Sequence, residues 1–359
     1  MMPSFRIFTF GHLPSGEAVS AATLDSGSGV TATILAYGAT LQALTLPDRH
    51  GTVADIVLGH DTLSPYLDQP TYIGVTVGRF ANRINQGRFT LDGVDYSVSA
   101  SDGAHSLHGG AKGFDKRLWT LDTPIVDGEG VSLRLSRRSP DGEEGYPGTL
   151  DVAVTYRLGR YLGRDNVLAI AYEATTDAAT VVSLTNHALF TLRGGGYALE
   201  AELTVDADDF TPVNATLIPT GERRPVAGTP FDFRSPRRLD DAVRDGHDAQ
   251  IRLGRGYDHN FALRGGVTLE PRPVARLYDR FSGRGVDIST TKPGLQLYTG
   301  NFFDGTLVGK GGRTLRQGDG VALETQHFPD APNRPTFPSA RLAPDEVYRH
   351  LSLYRLFAE

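Results

Sequence analysis

The chain has 359 residues, 39% of them hydrophobic and 22% charged, which is enough for a large packed core and unlike a disordered polymer. Lys plus Arg number 36 against 42 Asp plus Glu, a formal net charge of -6, so the basic excess that nucleic acid or an anionic membrane would recruit is missing. With no cysteine there is no disulfide framework, thiolate nucleophile or cysteine zinc site.

The first apolar stretch, Phe5, Ile7, Phe8 and Phe10, is interrupted by Arg6 and closed by Gly11, short of the ~7 to 15 apolar residues of a signal core. No run approaches the ~20 residues needed to cross a bilayer. A soluble cytoplasmic protein is expected, monomer or homodimer. Period-two alternation begins at Val30, Ala32, Ile34 and Ala36 and predicts half-buried strands.

Gly78 to Ile84 contains Asn82-Arg83, and Ser106 to Gly110 places His108 before two glycines, which let backbone or ligand approach closely. Arg beside Asn suits polyol hydroxyls, which both donate and accept; a structural salt bridge or a tight turn explains the same residues equally well. His105 and His108 suggest a metal pair, but no spaced carboxylate or third histidine completes the set, so no metal and no cofactor are expected.

Alternation returns at Val131, Leu133 and Leu135, and at Val152, Val154 and Tyr156. In the run Val181 to Leu189, residues Ser183, Thr185, His187 and Leu189 share one face, more polar than a core would be. His187 reads as a hydrogen-bonded interior histidine or as a groove residue. Gly194-Gly195-Gly196 lacks the spacing of a dinucleotide loop. Leu199, Leu203 and Val205, interleaved with Glu200, Glu202 and Thr204, predict another strand. The best helix candidate starts at Ser235, with Pro236 in its first turn and Leu239, Ala242 and Val243 at helical spacing before Gly246.

Asp258 sits within Tyr257 to Phe261, and Gln296 faces the same way as Tyr298 between Leu295 and Leu297. Gly305 to Lys310 is one residue short of a phosphate loop, and Gly311 occupies its Ser/Thr position. The strand Val321 to His327 places Glu324 among apolar neighbours: a salt-bridged glutamate, or a partly desolvated base. Phe328 to Pro338, with four prolines, predicts a stiff loop that walls a cleft or covers a sheet edge. The 42 Gly and 21 Pro are scattered as turn punctuation, no domain boundary is visible, and many short strands with few helices argue for an antiparallel sandwich.

The order of Gly38-Ala39-Thr40, Pro47-Asp48-Arg49, Gly78 to Ile84, Ser106 to Gly110, Gly113 to Lys116 with Trp119, Thr185-Asn186-His187, Tyr257 to Phe261, Gln296 to Asn301 and Leu323 to Gln326 resembles the aldose 1-epimerase (galactose mutarotase) family. The resemblance runs from about Phe10 to Leu356. It implies an all-β fold, a large antiparallel β-sandwich (supersandwich) of the galactose mutarotase type, with residues 1–359 as one domain and a small-molecule monosaccharide as partner. Carried over by position, Glu324 is implied as general base and His187 as general acid, with Asn82, Arg83, His108, Asp258 and Gln296 as hydroxyl binders. Opening a pyranose takes a proton from the anomeric hydroxyl while one is given to the ring oxygen, so base and acid must flank both atoms. Burial is expected to raise Glu324, anionic neighbours to raise His187, and the rate to follow a bell-shaped pH profile. After Asn186-His187 the family more often shows a small residue, Tyr, Phe and Asn; here Ala188, Leu189, Phe190 and Thr191 follow. Rival readings are a glycoside hydrolase using Asp258 and Glu324, a non-catalytic sugar-binding module, and an enzyme of hexose 6-phosphates.

Overall fold

The computed structural model describes residues 2–69 and 71–359. The alternating stretches form strands because one side of each is apolar. Val131, Leu133 and Leu135 lie in the strand Gly130–Ser139, Val152, Val154 and Tyr156 in Leu150–Tyr161, and all six are buried. These two strands pair with each other, then with Arg164–Thr176, Tyr348–Ala358, Arg284–Thr290 and Arg272–Tyr278, as the middle of a ten-stranded sheet whose ladders are antiparallel.

A five-stranded sheet built from Ser4–His12 to Val53–Asp55 joins in chain order. A six-stranded sheet runs Leu189–Phe190, Val321–Gln326, Gly294–Tyr298, Asp258–Leu263, Ala207–Thr211, Arg224–Pro225. The largest core cluster draws on all three sheets, with Leu44 from the first, Val154 from the large one and Leu297 and Leu323 from the third. Burial of aliphatic side chains at about 25 cal/mol per Å² drives this stacking.

The six-stranded sheet has two unlike faces. Leu295, Leu297, Val321 and Leu323 enter the core, and Thr325 on that side hydrogen-bonds Ser352 of the large sheet at 2.6 Å. The alternate residues Asp258, Asn260, Gln296, Glu324 and Gln326 are therefore on the opposite face, yet every one is buried.

Three expectations are corrected. No helix spans Ser235 to Gly246: Arg237–Arg238 pairs with Glu202–Val205 and is followed by a 3-10 turn, Leu239–Asp241. Leu239, Ala242 and Val243 are buried as the pattern required, but sheet edge and turn supply that burial. The nearby helix is Ala249–Gly254, capped by the Asp248 carboxylate, which accepts from the N–H groups of Gln250 and Ile251. The strand expected from Leu199 begins only at Glu202. The run Val181 to Leu189 is split into pieces pairing with three different segments.

Phe328 to Pro338 both covers and walls: it lies against Arg83 and Asn85, and its Phe328, Thr336, Phe337 and Pro338 line a cleft with Ala262 and Leu263. Phe328 and Phe337 pack edge to face, and Asp330 accepts the Asn85 N–H at 2.9 Å while its own N–H donates to the Arg83 carbonyl at 2.8 Å. No helix among the described residues is long and apolar enough to cross a membrane.

Candidate active site

Glu324 projects from the middle of Val321–Gln326 on the polar face of the six-stranded sheet, next to Gln296 on the adjacent strand, with Asn260 beyond it in the same row. His187 reaches it from the segment alongside: Leu189–Phe190 pairs with Val321 and Ala322, and His187 Nε2 lies 3.6 Å from Glu324 Oε1. The main chain around His187 is pinned. Its N–H donates to Val75 O, its carbonyl accepts from Gly74, and Asn186 Nδ2 donates to Gly74 O and to the Tyr156 hydroxyl.

A third group arrives from the His-Gly-Gly turn. Asn82 and His108 both have left-handed backbones, φ 63° and 53°, and each N–H meets the other residue: Asn82 N donates to His108 Nδ1 at 3.2 Å and His108 N to Asn82 O at 3.0 Å. Gly109 is required there, because with φ 93° a Cβ would stand 1.9 Å from Gly78 O. Arg83 Nε is bound by Asp102 at 2.8 Å, its Nη1 lies 3.9 Å from Asp258 Oδ2, and Gln296 Nε2 donates to Asp258 Oδ1 at 2.7 Å.

These side chains surround a hollow of about 160 Å³, monosaccharide in scale, whose wall includes Asn82, Arg83, His108, His187, Asp258 and Glu324. Gln296 lies behind Asp258 and orients it instead of joining the wall. Tyr72, Tyr298, Phe302 and Phe303 add aromatic surface. Tyr298 was visible as facing the way of Gln296; Tyr72, Phe302 and Phe303 carried no signal in the sequence. A larger cleft of about 750 Å³ holds both glycine motifs that failed the nucleotide test, Gly194 to Gly196 and Lys310-Gly311. Lys310 is tied there to Asp55 in a salt bridge.

Burial governs the electrostatics. Glu324 is pushed well above the ordinary carboxylate range by burial, with Asp258 adding to the rise and Arg83 opposing it. Asp258 is raised by burial too, against Arg83 and Gln296. His187 is corrected in direction: burial depresses it to about 4. The same desolvation raises the proton affinity of the Glu324 carboxyl beside it, which weakens the anionic support expected for the ring.

His108, His187 and Glu324 offer ligand atoms within 4.8 Å of one another, so space supplies the carboxylate and second histidine that spacing along the chain did not. The tautomer argues against a metal. His108 Nδ1 already accepts the Asn82 N–H, so in the neutral ring the proton resides on Nε2, and that nitrogen is a donor toward the hollow and not a ligand. His105 is elsewhere, accepting the Gln86 N–H.

The aldose 1-epimerase family model matches residues 20–355. The chain belongs to the aldose 1-epimerase family. As a member, it is 44% identical over 356 residues to the galactose mutarotase of Bos taurus, covering 99% of both chains. It is 36% identical over 349 residues to the aldose 1-epimerase of Escherichia coli (strain K12), covering 96% of this chain and 97% of the other. A solved galactose 1-epimerase from Lactobacillus acidophilus NCFM superposes with a TM-score of 0.86 at 29% identity over 99% of this chain and 98% of that one. Two positions depart from the family pattern: Thr191 lines the larger cleft, and Leu189 is fully buried against Leu58, Phe303 and Leu315. Leu189 stands behind the aromatic wall of this epimerase-family site, and both positions are outside the hollow.

Proposed function

We propose that this protein interconverts the α and β anomers of free aldoses, with Glu324 taking the anomeric proton and His187 protonating the ring oxygen. The observation that carries the reading is the buried Glu324–His187 pair, 3.6 Å apart, opening on a hollow the size of one sugar. A base and an acid that close together can serve two oxygens attached to one carbon in a single encounter. The open-chain aldehyde then turns about its C1 to C2 bond, and reclosure reverses both transfers.

The other groups fit hydroxyl recognition. Asp258 accepts, Arg83 and the His108 Nε2–H donate, and Tyr72 and Tyr298 present ring faces to the apolar side of the sugar. Arg83 is the cation in the described wall and is already engaged by Asp102 and Asp258, which favours neutral sugars over hexose 6-phosphates. Asp258, held by Gln296 and Arg83, suits a binder better than the second carboxylate of a glycosidase. The largest core cluster draws residues from Ala22 to Leu356, which supports treating 1–359 as one domain.

Polarimetry on freshly dissolved α-glucose and α-galactose tests the function. Decay of optical rotation faster than the spontaneous rate, with no reducing sugar released from a glycoside, is expected. Sugar binding with unaltered decay would leave a binding module, and release of reducing sugar would leave the hydrolase.

A further inference from the structure

Beside the catalytic carboxylate lies a patch of polar atoms that the reaction does not use. On the polar face of the six-stranded sheet, strand register forms two adjacent rows, Asn260–Gln296–Glu324 and Ala262–Gly294–Gln326. Gly294 has no side chain at the centre of the second row: a Cβ there would come within 2.3 Å of Asn260 Oδ1 and 3.0 Å of Phe328 Cδ1, so the asparagine amide lies over the glycine beside the Phe328 ring. From the neighbouring segment, Ser183 Oγ accepts the His327 N–H while His187 meets Glu324. Thr185, between them in sequence, belongs to the short strand Thr185–Asn186, which packs against Val321–Gln326.

Seven buried atoms in this patch have no hydrogen-bond partner among the described residues: both amide atoms of Asn260, both of Gln326, Gln296 Oε1, Thr185 Oγ1 and Glu324 Oε2. Nine other such atoms are scattered one to a residue among the described residues, whereas seven on one patch call for a shared partner, because each unpaired polar group costs about 1–3 kcal/mol. An internal water makes about three hydrogen bonds, so about two or three waters would satisfy the set.

We infer that Asn260, Gln326, Gln296 and Thr185 bind an internal water cluster that hydrogen-bonds Glu324 Oε2 and stabilises the ionised carboxylate. Asn260 and Gln326 are thus positioning residues acting through water. This deepens the proposed function and rests on Glu324 being the base. The cluster answers a difficulty in that reading: a carboxyl buried to 2% exposure without donors stays protonated and cannot take a proton. Water donating to Oε2 leaves Oε1 free toward His187 and the sugar.

The charged and titratable groups facing Glu324 are His187, His108, Arg83, Asp258, and the buried phenols of Tyr298 and Tyr354. None lies in the Asn260–Gln326 patch, so that patch can be emptied of polarity without touching them. Gln326→Met and Asn260→Leu keep approximate volume and remove the amides. Losing the water donors raises the carboxyl's proton affinity further and leaves less of the couple in the ion-pair form, with Glu324 ionised and His187 protonated. The expected result is a kcat lower by about 10-fold across the plateau, an unchanged KM, and an alkaline limb about one pH unit higher.

Folded variants with wild-type plateau and limb would overturn the cluster. Where a variant does not fold, a high-resolution crystal structure of the wild type decides: ordered waters bridging Asn260, Gln326 and Glu324 Oε2 support it, and direct side-chain contacts with no water overturn it. Glu324→Gln at full activity would instead end the base assignment itself, so the two failures are distinguishable.

Discussion

Burial raises the proton affinity of Glu324 and lowers that of His187, yet the proposed reaction needs the first ionised and the second protonated. The two requirements meet because the pair shares a proton: the neutral couple and the ion pair carry the same proton count and differ only in where it sits. Burial sets the limits of that one-proton state. Below about pH 4 His187 also takes a proton, and above the raised affinity of Glu324 the pair loses its only one. kcat measured from pH ~4 to ~10 is expected to fall at both ends, and to lose the alkaline limb's dependence on Glu324 in Glu324→Gln. Arg83→Lys is expected to raise KM by about 10-fold with a smaller effect on kcat. A lysine cannot hold Asp102 and face Asp258 together as the planar guanidinium does. Which residues meet was largely legible in the chain, since Asn82, Arg83, His108, His187, Asp258 and Glu324 converge on one hollow. The direction of the His187 shift was not, because sequence shows which charges exist and not which of them burial extinguishes.

At the scale of elements, the strand Val321–Gln326 does two tasks with alternate residues, and its apolar side carries the polar one. Leu323, beneath Glu324 and 1% exposed, packs in the main core. Leu323→Ala should cost about 2–5 kcal/mol in denaturant unfolding and loosen the Glu324–His187 distance, so kcat should fall with stability. Asp248→Ala, which removes the cap of Ala249–Gly254, should cost about 1 kcal/mol. The alternating strands were readable because a sheet face buried against a core imposes period two. Ser235 to Gly246 was not, since Leu239, Ala242 and Val243 satisfy helical spacing while the Arg237–Arg238 pairing claims the backbone. Val181 to Leu189 misled in a similar way. Asn186, whose side chain bonds Gly74 and Tyr156, breaks what local alternation alone would continue.

Across the whole molecule, basic groups are buried with few acids to meet them. Lys292, 3% exposed, gives one hydrogen bond to Arg349 O and lies 4.0 Å from the Tyr348 ring; burial lowers it to about 7. His327 and His350 are lowered by burial and by Lys292, and His259 is lowered by burial to about 3. Each folded value is below the unfolded one, so the unfolded chain binds more protons and stability falls as pH falls. For Lys292 the window runs from about 10.5 down to about 7; for the histidines it opens below 6.5. Tm is expected to decline from pH ~9 to ~7, above the range where the raised Asp115 and the histidines titrate with opposite signs, and Lys292→Met to raise Tm at pH ~7 and flatten that decline. A Tm independent of pH over this range would contradict the linkage.

The acid/base pair is tested most directly by the turnover rate of Glu324→Gln on α-galactose, followed by polarimetry at the wild-type pH optimum on protein with a native unfolding transition. A loss of about 100-fold to 10,000-fold in kcat is expected. A folded Glu324→Gln protein turning over within a few-fold of wild type would contradict the central claim.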